Sequence, residues 1–322
     1  MSEKIGIVWN PSKAERGKLS AAFEEALAEA AGIAADANGE PELLWFETTL
    51  EDPGQEAAQR ALDAGCGVVV AVGGDGTVRA VAERLGRADG TADLGIVPLG
   101  TGNLLARNLG VPLGDPQAAF ARAMADEGIP LDLGEVRVTL ADGEEQHHAF
   151  VVMVGFGIDA QMIAETDAGL KDRAGWLAYV ESLGRAASGT QRVRFSLALD
   201  DAEAREEEAH TLLVANCGTI QGGITLLPDA NPSDGELDLL VLRADGVGAW
   251  LETMRNMMWD NGLKRLISKA KVAESTDSTT HLRARSVSVS LPVPLAFEID
   301  GEQIGETTGF EASIRAGALR VR

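Results

Sequence analysis

One aspartate stands among three glycines at Gly73-Gly74-Asp75-Gly76-Thr77, directly behind the apolar run Val68-Val69-Val70-Ala71-Val72. Glycines allow positive φ and carry no Cβ, so backbone N–H groups in such a turn can come close to a bulky anion. Thr77 reads as the N-cap of a helix over residues 78–85, apolar at Val78, Val81, Ala82 and Leu85. The N-terminus of that helix adds its own attraction for negative charge. A carboxylate placed there repels a bare phosphate. It becomes useful if it binds Mg2+, directly or through water, or holds a nucleotide hydroxyl. The plainer alternative is a strand–turn–helix connection in which the glycines serve geometry alone.

Two further clusters carry carboxylates. Asp300-Gly301-Glu302 follows a strand and reads by itself as a β-turn. Asn231, Asp234 and Glu236 lie in a stretch rich in Asp and Asn, where Asx-type turns are common. The four histidines (147, 148, 210 and 281) show no metal-ligand spacing, which argues against a zinc site. Cys66 and Cys217 sit beside apolar strands and read as core thiols, too few for a disulfide framework.

These residues need elements to position them. Up to about residue 130, strands at 4–9, 43–46, 68–72 and 94–97 alternate with helices at helical apolar spacing. That alternation makes a doubly wound parallel sheet, α/β in class, whose ligand lies beyond the carboxyl ends of its strands. Four polar turns (Asn10 onward, Thr48, 73–77 and 100–103) fall on that edge. The unalternated run 68–72 reads as a central strand covered on both faces. From about 130 the pattern changes to successive strands at 135–140, 149–154, 192–199, 210–216, 236–242, 287–291 and 295–299, which suggest a mainly antiparallel β-sandwich. Helical inserts are expected around 164–182 and 250–271. The reading is therefore a nucleotide-binding domain over 1–130 and a β-rich domain over 131–322, whose last residues either complete it or return to the first.

Composition bounds the function. A formal net charge of −22 argues against a nucleic-acid partner. No apolar run is long enough to span a bilayer, and Met1-Ser2-Glu3-Lys4 leads into a strand without a signal-peptide pattern, so the expected location is cytoplasmic. Against the acidic background, residues 254–285 carry seven bases and three acids. Trp250, Leu251, Met254, Met257 and Met258 accompany those charges, as in a segment that lies at a membrane interface; the alternative is a core-packed helix with a solvated face.

The order of the motifs resembles the bacterial diacylglycerol kinase and lipid kinase family over nearly the whole chain. It is carried by Asn10-Pro11, the GGDGT turn at 73–77, Pro98-Leu99-Gly100-Thr101-Gly102-Asn103, Gly155-Phe156-Gly157-Ile158-Asp159, the 228–238 stretch and Asp300-Gly301-Glu302. GGDGT is shared with sphingosine kinases, NAD kinases and 6-phosphofructokinases, but the 98–103 turn and the late Asp-Gly-Glu point away from the last two. The resemblance implies that ATP is held by Asn10, Pro11, Ser12, Lys13, Ala14, Thr48, Gly73, Gly74, Asp75, Gly76, Thr77, Val78, Arg79, Thr101, Gly102 and Asn103. It implies that Glu302 is the general base toward a lipid hydroxyl, with Asp300 beside it and the chemistry in the interdomain cleft. Asn231, Asp234 and the Glu236 carbonyl match positions that hold a structural Mg2+ in related proteins. This chain departs from the pattern at Lys13-Ala14, where a glycine is common, and at Asn231, where a carboxylate is.

The expected function is an ATP- and Mg2+-dependent lipid kinase, peripheral to the membrane, converting diacylglycerol to phosphatidic acid. Another lipid alcohol is the alternative acceptor, and a nucleotide or lipid sensor without turnover is the non-enzymatic alternative. A transiently engaged lipid surface and a homodimer are the partners allowed for.

Overall fold

The computed structural model describes residues 4–33, 41–88, 90–124, 127–157, 192–221, 225–243 and 279–322. Asp159, both expected helical inserts and residues 254–278 of the basic stretch lie outside them. The chain divides into two units, Met1–Leu133 with Arg315–Arg322, and Gly134–Ile314.

In the first unit the valine run forms β3 (Val68–Gly73), every residue of which is buried. It lies between β1 (Lys4–Trp9) and β4 (Asp93–Pro98), and β2 (Glu42–Glu47) completes the order β4-β3-β1-β2 with every pairing parallel. A fully buried central strand follows from having helices on both faces. Helix α1 (Arg16–Ile33) buries Leu19, Phe23 and Ala26 and meets α5 (Pro116–Ala123) through an edge-to-face contact of Phe23 with Phe120, centroids 5.4 Å apart. Helices α2 (Gln55–Asp63) and α3 (Asp75–Gly86) pack on each other. Asp52 starts α2, its carboxylate accepting from the N–H groups of Gly54, Glu56 and Ala57 at 2.9–3.0 Å.

The end of the chain belongs to this sheet. Val321 pairs in parallel with Leu94, Gly317 N donates to Asp132 Oδ1 at 2.7 Å, and Arg320 Nε and Arg322 Nε donate to the two carboxylate oxygens of Asp93 at 3.0 and 2.8 Å. One carboxylate, 8% exposed, thus clips the final residues beside β4.

The second unit is antiparallel throughout its paired strands and closes as a β-sandwich around a core that includes Phe150, Phe156, Phe195, Phe297 and Phe310. Strand β13 (Ser286–Ile299) serves two neighbours along one edge. Its first part pairs with β8 (Val193–Leu199) and its last part with β7 (Met153–Phe156), while β14 (Glu302–Val321) follows its other edge. The register shifts between Ser290 and Leu295, where Pro292 and Pro294 withhold ladder donors. The two strands expected at 287–291 and 295–299 are therefore one strand with a shifted register. Beyond β7 the order continues through β10 (Thr211–Ala215) and β11 (Leu237–Leu242) to β12 (Thr279–Ala284). Outside that path, β5 (Ile129–Leu140) pairs with β14 and β6 (Glu145–Phe150), and β9 (Arg205–Ala209) with β8. The strand expected at 149–154 is broken at Val151 and Val152, whose N–H groups are turned to a side chain instead of a ladder.

Replacing Asp93 with alanine leaves both arginines without their shared acceptor. We expect a loss of about 2–3 kcal/mol in unfolding free energy, read as a lower urea midpoint at unchanged slope. A variant within about 0.5 kcal/mol of wild type would show that the clip contributes nothing.

Candidate active site

The parallel ladder of the first unit delivers four turns to one edge. After β1, Asn10 N continues the ladder to Val72 O at 3.0 Å, and the Asn10 Oδ1 accepts from Ser12 N at 2.9 Å and Ser12 Oγ at 2.7 Å. This Asx turn leaves Pro11, Ser12 and Lys13 exposed, with Ala14 half-buried. After β2, Thr48 is buried and donates its N–H to Trp9 O at 3.0 Å. After β3 and β4 come the two glycine turns, which are built as one piece.

Their bridge is Asp75. Its Oδ2 accepts from Asn103 N at 2.8 Å and its Oδ1 from Leu104 N at 2.5 Å, while Leu99 N donates to Gly73 O at 2.8 Å. The carboxylate thereby satisfies the first amides of α4 (Leu104–Asn108) from the opening of α3. Asn103 is left-handed, φ 48°, and holds its own turn by accepting from Gly100 N at 2.9 Å and donating to Gly100 O at 2.7 Å. Arg107 Nε reaches back to Gly102 O at 2.7 Å, a contact the sequence signals only as a base in the turn's following helix. Burial raises the Asp75 carboxyl above its ordinary value of 3.8, partly offset by the amides of Leu104 and Asn103.

Two readings of this turn are corrected by the geometry. Gly73, Gly74 and Gly76 are not in the positive-φ region; Gly74 has φ −90°. What requires glycine is close approach: a Cβ on Gly73 would lie 2.7 Å from the Thr77 side chain, one on Gly100 2.7 Å from Gly74 Cα, and one on Gly102 2.7 Å from Asp75 Oδ2. Thr77 is no N-cap either. The helix starts earlier, at Asp75 with Gly74 as cap, which makes Thr77 a buried first-turn residue packed against Gly73. Val78 is buried and Arg79 half-buried on the same helix, and Thr101 is exposed at the tip of the second turn. The N–H groups that open α3 have no acceptor one turn earlier in the helix, so the arrangement can receive an anion.

In the second unit Asp300 and Glu302 part company. Ile299 pairs with Glu302 across a two-residue connection in which Asp300 has φ 50° and Gly301 φ 80°, the pattern of a type I′ hairpin. Asp300 is 4% exposed. Its Oδ2 accepts from Val151 N at 2.9 Å and its Oδ1 from Val152 N at 2.8 Å and Met153 N at 2.9 Å, and its own N–H donates to Met153 O at 2.8 Å. A carboxylate engaged by three backbone donors is a positioning group. Asn216 N and Cys217 N both donate to Val152 O, at 2.8 and 3.1 Å, and burial, with Asp300 close by, pushes the Cys217 thiol well above its ordinary range. Glu302, two residues on, is exposed on the surface of β14.

The residues matched to a structural metal behave differently. Asn231 Oδ1 accepts from Ser233 N at 3.2 Å and Asp234 Oδ1 from Glu236 N at 3.1 Å, both Asx turns. The free faces of the acids meet Arg283: its Nε donates to Asp238 Oδ1 at 2.9 Å, and its Nη1 lies 3.8 Å from Asp234 Oδ2 and 3.6 Å from Glu236 Oε2. Among the described residues no group of three or more His, Cys, Asp or Glu side chains could hold a metal ion. Arg283 belongs in sequence to the basic 254–285 stretch, and in the fold it pairs with these acids.

Comparison with known proteins bears on both units. Residues 7–136 match the diacylglycerol kinase catalytic domain, and residues 152–322 match the YegS C-terminal NAD kinase beta sandwich-like domain. A Pseudomonas aeruginosa protein named "Probable lipid kinase YegS-like" is 33% identical over 90% of this chain and 88% of its own. A Stenotrophomonas maltophilia protein of the same name is 34% identical over 83% and 82%. Among solved structures, two chains from Bacillus anthracis str. Sterne align over 99% of this chain and 96% of their own, at TM-scores of 0.70 and 0.64 with 22% and 21% identity; the second is described as a diacylglycerol kinase.

Two measurements separate structure from chemistry here. Asp300→Asn keeps the left-handed turn but loses one acceptor oxygen, and should cost about 1–3 kcal/mol, whereas Glu302→Ala should change stability by less than about 0.5 kcal/mol; equal losses in urea unfolding would contradict the division of roles. The raised Asp75 carboxyl means that the folded chain binds more protons than the unfolded one above pH 3.8. Its contribution is fully present below that pH and lost as pH rises through the folded value. The stability of wild type relative to Asp75→Asn should therefore fall with rising pH across that window, and a rise would refute it.

Proposed function

The chain belongs to the lipid kinases of the diacylglycerol kinase family, and on that footing we propose that it transfers the γ-phosphoryl group of ATP to the hydroxyl of diacylglycerol, giving phosphatidic acid and ADP. The observation that carries this reading is the Asp75 bracket, which joins the two glycine turns at the carboxyl edge of the parallel sheet. Strand ends, helix-opening amides and a turn held rigid from inside suit a chain of phosphates.

The residues of the edge take the following parts. Amides opening α3 bind phosphate oxygens, and Lys13, exposed after β1, supplies positive charge. Asn10 to Ala14, Thr48, Gly73 to Arg79 and Thr101 to Asn103 line the remainder of the nucleotide. Each oxygen of Asp75 accepts one amide and keeps further lone pairs, which fits contact with Mg2+ through water; the ion would neutralise charge on the phosphates. Glu302 takes the proton from the acceptor hydroxyl as the oxygen bonds to the γ-phosphorus and the bond to the β-bridging oxygen breaks. Its exposure suits a base that must meet a lipid, and the Asp300 clamp fixes the hairpin that carries it. Phosphoryl transfer asks for in-line positioning and charge neutralisation more than for covalent help. The enzyme works peripherally at a lipid surface; among the described residues no helix is long and apolar enough to cross a membrane.

The test is phosphorylation from γ-labelled ATP with Mg2+ on mixed micelles that carry diacylglycerol, sphingoid base or a total lipid extract. Labelled phosphatidic acid is expected from wild type, reduced by about 10²-fold or more in Glu302→Gln at unchanged ATP binding. Label in a different lipid would replace the acceptor, and ATP binding without any labelled lipid would sink the kinase reading.

A further inference from the structure

A guanidinium stands among three acidic side chains, those of Asp234, Glu236 and Asp238. We propose that Arg283 is the built-in structural cation of the 229–238 loop, which it pins to β11 and β12 without any metal.

The first argument is the use made of each nitrogen. Nε donates to Asp238 Oδ1 at 2.9 Å, Nη2 donates to Asp229 O at 2.6 Å, and Nη1 lies within 4 Å of both Asp234 Oδ2 and Glu236 Oε2. One planar side chain thus joins the start of the loop, its middle and the strand that follows it. A second argument comes from the ligands that a metal would need. A hard divalent ion wants six or more oxygens, but Asn231 Oδ1 and Asp234 Oδ1 each give one lone pair to a loop amide, and Asp234 Oδ2, Glu236 Oε2 and Asp238 Oδ1 lie against the guanidinium. Asn231 is also neutral, which suits a partner of single positive charge better than one of double charge.

Burial supplies the third argument. Asp238 is 5% exposed, and its Oδ2 is buried without a hydrogen-bond partner. A carboxylate so placed needs a fixed positive charge beside it. The backbone guarantees that charge, because Asp238 and Arg283 are direct cross-strand partners in the antiparallel β11–β12 ladder. The cation is therefore installed by folding and cannot be removed by chelation. It also takes Arg283 out of any basic membrane-facing surface.

The experiment is thermal unfolding of the nucleotide-free full chain in EDTA and in excess Mg2+ or Ca2+, for wild type, Arg283→Ala, Arg283→Lys and Asp234→Asn. Wild type should unfold at the same temperature in all three solutions. Arg283→Ala should unfold roughly 3–6 °C lower in EDTA and recover part of that loss with Ca2+ or Mg2+, since its acids then face no cation; Arg283→Lys, which keeps the charge and loses the fork, should fall between. A rise in the wild-type midpoint with Mg2+ that Asp234→Asn abolishes would overturn the proposal. So would an Arg283→Ala midpoint equal to that of wild type in EDTA. Neither result depends on phosphoryl transfer, so the proposal stands or falls apart from the kinase reading.

Discussion

Several of the described turns have backbone N–H groups that no ladder or helix satisfies, and an unsatisfied buried donor costs as much as a lost hydrogen bond. Aspartates meet that demand. Asp52 takes three amides at the start of α2, Asp75 two at the start of α4, Asp300 three at the break before β7, and Asp200 two from Arg285 and Ser286. Part of the chain's large negative charge is thus internal scaffolding. Acceptors with two oxygens can hold two or three donors at once, which is why one residue suffices to tie elements far apart in sequence.

That constraint changes what an acidic motif says. In GGDGT the carboxylate looks at first like a cation ligand and the glycines like a source of positive φ. In the folded chain the carboxylate locks the turn, and the glycines are small because Gly74 and Gly100 pack backbone against backbone. With the Asp75 and Asn103 side chains bonded within the paired turns, the amides that open α3 are left without an acceptor one turn earlier in the helix. Preorganisation of this kind lets donors meet developing charge without rearranging.

How much could be read from residues alone follows from the range of the signal. The valine run, the glycine turns and the alternation of strand and helix are local patterns, and they place the parallel sheet and the edge on which its turns converge. The break at Val151 was not legible, because its cause is a side chain 148 residues or so away. Strands β9 and β12 escaped for a different reason: Arg205–Ala209 is charged at four of its five positions, and Thr279–Ala284 has little apolar alternation, so their pairing comes from neighbours in the sheet. Without β12 there was no register, and without register Arg283 could be read only as one base among several.

The Asp-Gly-Glu hairpin shows why adjacency in sequence does not mean shared chemistry. A type I′ turn demands positive φ at both central positions, which aspartate tolerates and glycine prefers. Asparagine would fit that backbone equally well, yet it offers one acceptor oxygen, and three amides wait at residues 151–153. The position therefore selects aspartate for its two oxygens, while the turn returns the chain so that the next residue begins a new strand on the surface. Burial makes the first carboxylate a support that holds three amides, while the second lies exposed on the strand that follows. A pair of acids two residues apart is in this way split by the hairpin into a buried support and an exposed side chain.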